Sequence, residues 1–243
     1  MNSWKTVASL VLGGFVLGVA SAPALAEDNA VIKGKVLFKG DPDKYKREPL
    51  DTAKDANCTK KIGSEQVVLN KKTDPITIRN VLVSVKEGLG EKKFPAKTEP
   101  AILDQVGCQY TPHVLAVMEG QPVKIRNSDP TNHNINFFDA KINEKLNETQ
   151  PKQNMDKDVK LKVEAPFRVK CDVHPWMGMH VAVFNHPFFS VTGDDGTFEI
   201  KGLPPGKYMV EAWHEKFGAV SAPIEVTSGA TKEADFTFEP DKK

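Results

Sequence analysis

Cys171, His174 and Met177 stand three positions apart in Cys171-Asp172-Val173-His174-Pro175-Trp176-Met177, a short turn between two strand-like runs. Well upstream, His133 lies in Asn132-His133-Asn134-Ile135-Asn136-Phe137, beside another strand-like run. One thiolate, two imidazoles and a thioether form the donor set of a copper ion that exchanges single electrons. Soft sulfur with borderline nitrogen suits both oxidation states of copper, where carboxylates and water would not. Singly, each residue has a plainer role: a lone cysteine is most often a small buried hydrophobe, and a lone methionine fills core. Together, at this spacing, they point to a metal. Haem attachment would need a second cysteine ahead of the histidine. Cys-His nucleophilic catalysis would need a group to orient the base and an oxyanion site, and nothing marks either. Structural zinc accepts Cys and His but wants a stronger fourth donor than methionine. No second metal cluster and no acid/base pair stands out, so the chain is expected not to be an enzyme. His113, read as partly exposed, His186 and His214 are left outside the ligand set.

The elements that would position these donors are β-strands. Short runs rich in Val, Ile and Phe alternate with Gly, Pro, Asn and Asp, which predicts an all-β fold. Strands are expected over 31–38, 76–85, 101–110, 113–118, 122–127 and 134–138, with Val159, Leu161 and Val163 alternating in another. The runs 167–171 and 179–184 flank the metal turn. Residues 40–66 read as loop with one helical turn, 88–100 as linker, and the polar stretch 139–157 as a long loop. Beyond Pro187, turns and strands continue through Phe198, Tyr208, Val210 and Phe238.

The 243-residue chain is long enough for one or two domains. Residues 1–26 read as a cleavable export signal: Lys5, an apolar stretch to Ala20, then the small-x-small site Ala24-Leu25-Ala26. The rival is an uncleaved anchor. Its loss would take Lys5 away and leave the chain formally neutral, which argues against a nucleic-acid partner. No apolar run long enough for a membrane span follows. Export implies a periplasmic or secreted protein in an oxidising compartment, where cysteines can be bridged. Cys58, Cys108 and Cys171 leave one thiol over. A Cys58–Cys108 bridge would free Cys171 for metal, and it stays open here.

Residues 101–185 resemble the cupredoxins of amicyanin and plastocyanin type. Tyr110-Thr111-Pro112, the run Gly120 to Asn127, His133-Asn134 and Cys171-x-x-His174-Pro175-Trp176-Met177 carry the likeness, and the turn is most amicyanin-like. The resemblance implies a Greek-key sandwich with one type 1 copper ion. Cys171 would give the short thiolate bond, His133 and His174 the nitrogens, and Met177 the weak axial donor. Met179, at plastocyanin-like spacing, competes for the axial place, and His180 is a third possibility. Asn134 would bond across to the thiolate loop. In this family the second histidine reaches the surface, so a redox partner would dock briefly near His174 and Trp176.

Residues 190–240 resemble the carboxypeptidase regulatory-like or transthyretin-like β-sandwiches, through Gly196-x-Phe198-x-Ile200 and Leu203-Pro204-Pro205-Gly206-x-Tyr208-x-Val210. The family's opening strands resemble pieces near Gly34-Lys35-Val36 and 80–85. The resemblance therefore implies a discontinuous sandwich from 27–99 and 187–243, with a cupredoxin at 100–186 inserted into it. Tandem domains with a longer N-terminal extension are the rival arrangement. The expected role is single-electron carriage. A non-redox copper carrier or sensor and a β-sandwich adhesion or binding module are the alternatives.

Overall fold

The computed structural model describes residue 1 and residues 29–143 and 146–242, so the expected leader, Met1 apart, lies outside the described residues. Its early strands are β1 (Ala30–Phe38), β2 (Leu69–Asn70), β3 (Thr77–Ile78) and β4 (Leu82–Glu87). The middle of the chain supplies β5 (Ala101–Gln105), β6 (Tyr110–Thr111), β7 (Val114–Met118), β8 (Pro122–Asn127) and β9 (His133–Phe137). It continues with β10 (Asn147–Gln150), β11 (Met155–Lys160), β12 (Glu164–Lys170) and β13 (Gly178–Phe184). Last come β14 (Phe189–Val191), β15 (Thr197–Leu203), β16 (Gly206–His214), β17 (Gly218–Val226), β18 (Thr231–Glu233) and β19 (Phe236–Phe238). Short 3-10 turns at Pro42–Tyr45 and Pro240–Lys242 are the helical pieces among the described residues. The fold is all-β.

Side chains alternate across a strand, so every second residue meets the core. In β1, Ala30, Ile32, Val36 and Phe38 are buried while Lys33 and Lys35 face out. In β16, Tyr208, Val210, Ala212 and His214 are the buried set. Each fully buried Val, Ile or Phe contributes about 1.5–3 kcal/mol through the hydrophobic effect.

Four sheets result. One runs β15-β1-β3-β2, with β18 and β19 also beside β1, and another runs β14-β4-β16-β17. These join residues 30–87 to residues 189–238 around one apolar core. The sheets β10-β9-β12-β13-β7 and β11-β8-β5-β6 draw all their strands from 101–184 and enclose a second core. Leu82, Val114 and Ala182, with Phe184, Phe189 and Trp213 against them, pack the two halves together.

Four stretches differ from their sequence reading. The strand expected over 101–110 is divided into β5 and β6 by a turn in which Val106 N–H donates to Gln109 O at 3.0 Å. The strand expected over 76–85 breaks at Asn80, whose φ of 63° turns the chain out of β3 and into β4 of another sheet. Asparagine tolerates that left-handed conformation better than the β-branched residues around it. The polar loop expected over 139–157 contains β10 and the first half of β11. Both are edge strands that pair through backbone atoms, with β10 on β9 and β11 on β8, so they need little apolar alternation. The Val159–Val163 alternation belongs to no single strand, since β11 ends at Lys160.

Candidate metal centre

β9, β12 and β13 lie side by side, with Lys170 opposite both Asn136 and Gly178. Cys171 therefore leaves β12 next to the start of β9, where His133 stands, and the chain returns into β13 through the turn that holds His174 and Met177. Backbone bonds close that turn: Cys171 N–H donates to Met177 O at 3.3 Å and Met177 N–H to His174 O at 2.9 Å. The Cys171 sulfur accepts from two backbone amides, Asn134 and His174, each at 3.4 Å. Asn134 binds the turn from the other side, accepting from Asp172 N–H at 3.1 Å and donating to Asn147 Oδ1 at 2.7 Å.

His133 Nδ1 lies 2.9 Å from His174 Nδ1, which in turn is 3.9 Å from Cys171 Sγ. The three donors fall within 4.8 Å of one another and are buried. Two donors bound to one ion at about 2.0–2.3 Å are at most about 4.3 Å apart, so both separations fit a shared ion. Two nitrogens and one sulfur facing a common point are the trigonal set of a one-electron copper site. Met177 and Met179 are both buried in the same core as Cys171. Met177 lies within the closed turn, whereas Met179 sits in β13 opposite Val169. His180, the third axial possibility, projects from the sheet face opposite Met179 and meets Trp213, with ring centroids 5.3 Å apart.

The outer nitrogens of both imidazoles are held by carboxylates. His133 Nε2 is 2.9 Å from Asp129 Oδ2, and His174 Nε2 is 3.0 Å from Asp55 Oδ2. Each carboxylate is itself fixed: Asp129 accepts from Gly107 and Cys108 N–H at 2.7 Å, and Asp55 from Thr131 Oγ1 at 2.6 Å. Such partners fix which nitrogen faces the metal. Burial opposes a charged His133, but the hydrogen bonds to Asp129 and Cys171 outweigh it and raise the ring to about 8. Burial also pushes the Cys171 thiol up, yet the His133 contact and the two amides hold it below its ordinary value.

Asp55 is carried on a loop that the Cys58–Cys108 disulfide ties to the β5–β6 turn, with Cα atoms 5.6 Å apart. Cys58 Sγ lies 3.9 Å from His174 Nε2. The resemblance led to a His174 at the surface. Instead it is only 2% exposed, because this loop covers it. Trp176, half-buried, packs against His174 with centroids 4.9 Å apart and ring planes tilted by 43°, while Val173 and Pro175 are exposed.

Sequence reading missed Asp129 and Asp55. Asp129 had a local signal, a carboxylate four residues ahead of a ligand histidine in a tight Ser-Asp-Pro turn. Asp55 had none, since its loop is brought to the site by contacts distant in sequence, the disulfide and the Thr131 hydrogen bond.

The carboxypeptidase regulatory-like domain family matches residues 172–239, which take in the metal turn, β13 and the strands as far as β19. The chain is also similar to solved cupredoxin structures. A copper-containing nitrite reductase from Thermus scotoductus is 20% identical, with a TM-score of 0.33, covering 42% of this chain and 25% of that one. A purple cupredoxin from Nitrosopumilus maritimus is 22% identical, with a TM-score of 0.31, covering 35% of this chain and 99% of that one. An amicyanin variant in its Cu(I) form is 19% identical, with a TM-score of 0.32, covering 42% and 98%. The chain thus spans only a quarter of the nitrite reductase. A comparison with curated proteins finds no match.

Proposed function

We propose that the protein is an exported type 1 copper protein that carries single electrons, and not an enzyme. The observation that carries this is the convergence of His133 Nδ1, His174 Nδ1 and Cys171 Sγ on one buried point. His133, Cys171 and His174 would hold one copper ion, with Met177 as the weak axial donor. Copper bound there supplies one-electron exchange between its two oxidation states. The protein's part is to keep the donors still. The carboxylates lock both rings, the amides cradle the sulfur, and the strands fix the turn, so little has to move between oxidation states. Burial of Cys171 keeps water from the sulfur.

A partner would dock over the exposed Val173 and Pro175, with Trp176 between that surface and the His174 ring. The Cys58–Cys108 bridge supports an oxidising compartment. A copper-delivery role would require donors that open to a recipient, and the burial of His133, Cys171 and His174 weighs against it.

The test is to load the purified protein with Cu(II) and record its visible spectrum. An intense thiolate-to-copper band, bleached reversibly by one electron per chain and missing in Cys171→Ala, is expected. A colourless copper-loaded protein would sink the proposal.

A further inference from the structure

On the opposite face of the β9-β12-β13-β7 sheet, a second group of donors meets. His113 immediately precedes β7, and His180 lies in β13 opposite Val114. Their backbones are joined by His180 N–H donating to His113 O at 2.9 Å, which sets the two rings with centroids 6.4 Å apart. Glu215 arrives from the β16–β17 turn, in the other half of the molecule. Its Oε1 bonds His113 Nε2, and its Oε2 lies 3.9 Å from His180 Nδ1. That His180 nitrogen is buried and has no hydrogen-bond partner. The sequence had offered His113 as partly exposed; it is buried.

We propose that His113, His180 and Glu215 form a second metal site, which takes a divalent transition metal of the Zn2+ or Cu2+ kind and bridges the two halves of the chain. Their donor atoms lie within 4.8 Å of one another. Donors on one ion at about 2.0–2.2 Å are at most about 4.4 Å apart, so the Glu215–His180 gap already fits. Two imidazoles and a carboxylate are also the donor set of zinc sites that keep a coordination position open. The unpartnered His180 nitrogen is what such an ion would satisfy. A buried polar atom left without a partner is costly, so it calls for an explanation.

The surroundings suit an ion. Glu65 Oε2 stands 4.0 Å behind His113 Nδ1, on the side away from Glu215, as an outer carboxylate would. Trp213 packs on the His180 ring. An entry path exists: a cleft of about 380 Å³ opens onto all three donors and is also lined by Gln66, Arg168 and Trp176. The cleft reaches Trp176 and Met177, so the first centre and this site share a wall.

The alternative is a His113–Glu215 hydrogen bond that pins the halves together without metal. The experiment separates the two. Metal-free full-length Cys171→Ala protein, whose first centre lacks its sulfur, is titrated with Zn2+ by calorimetry and by melting temperature. Tight uptake of Zn2+ with a rise in melting temperature is expected, and both should vanish when His180→Ala or Glu215→Gln is added. Glu215→Gln keeps the shape of the side chain, and melting of the metal-free variants reports whether they fold. On the wild-type background, His180→Ala and Glu215→Gln should keep the visible band of the first centre, which tests the two sites separately. Absence of Zn2+ uptake by Cys171→Ala, or uptake unchanged in both added variants, overturns the second site.

Discussion

At the scale of single residues, the proposed centre would depend on groups that do not touch the metal. Asp55 and Asp129 each take the far nitrogen of a ligand imidazole. Loss of such an outer partner typically costs 10–100-fold in metal affinity. Asp55→Ala should therefore weaken copper binding about 10–100-fold in a chelator competition while the visible band persists, because all four ligands remain. An affinity equal to wild type would remove Asp55 from the centre. The four candidate ligands stood out in the sequence because three of them, Cys171, His174 and Met177, share a seven-residue turn. Their spacing is local chemistry, fixed before any long-range contact forms.

At the scale of elements, the most telling position is Asn80. Its φ of 63° lets the chain leave the sheet of β3 and enter that of β4. A β-branched side chain in that conformation costs about 1–2 kcal/mol. Asn80→Val should lower unfolding stability by about that amount in a denaturant melt, and Asn80→Gly by far less. The loop before β10 is held differently. Burial pushes the Glu164 carboxyl up, but Lys141, Ile142 and Asn143 N–H and the Asn143 side chain all donate to it and hold it below its usual value. Because the folded value lies below the unfolded one, about 4.3, the stabilisation is complete above that pH and is lost as pH falls through the folded value. Glu164→Gln should remove this part of the acid dependence; a melting-temperature profile between pH 7 and pH 3 that matches wild type would refute the assignment. Neither the polar edge strands nor this loop was legible, since their order comes from backbone pairing and one distant carboxylate.

At the scale of the whole molecule, the halves are knit by contacts far apart in sequence. The disulfide closes a separation of 50 residues and ties the 51–58 loop, which belongs to the early part of the chain, onto the 101–184 sheets. Replacing both cysteines by serine should cost about 2–5 kcal/mol. It should also weaken copper binding, since Asp55 would no longer be held over His174, and both effects can be read on one sample by denaturant melt and chelator competition. In the other half, β1 runs against the C-terminal segment so closely that a Cβ on Gly34 would come within 1.9 Å of the Ala234 carbonyl oxygen. Gly34→Ala should destabilise by about 1–3 kcal/mol or more, with the visible band retained in whatever fraction stays folded. A Gly34→Ala protein as stable as wild type would mean that this approach is not close in solution.

What the amino-acid order determined alone is the alternation that makes the chain all-β and the donor spacing on the 171–177 turn, because both are set by neighbours along the chain. Tertiary structure decided which carboxylate steadies which imidazole, that His174 lies under a loop, and that His113, His180 and Glu215 meet at all. Those residues come from segments up to 119 positions apart. Only the packing of separate sheets, which buries them side by side, gives them a common chemistry.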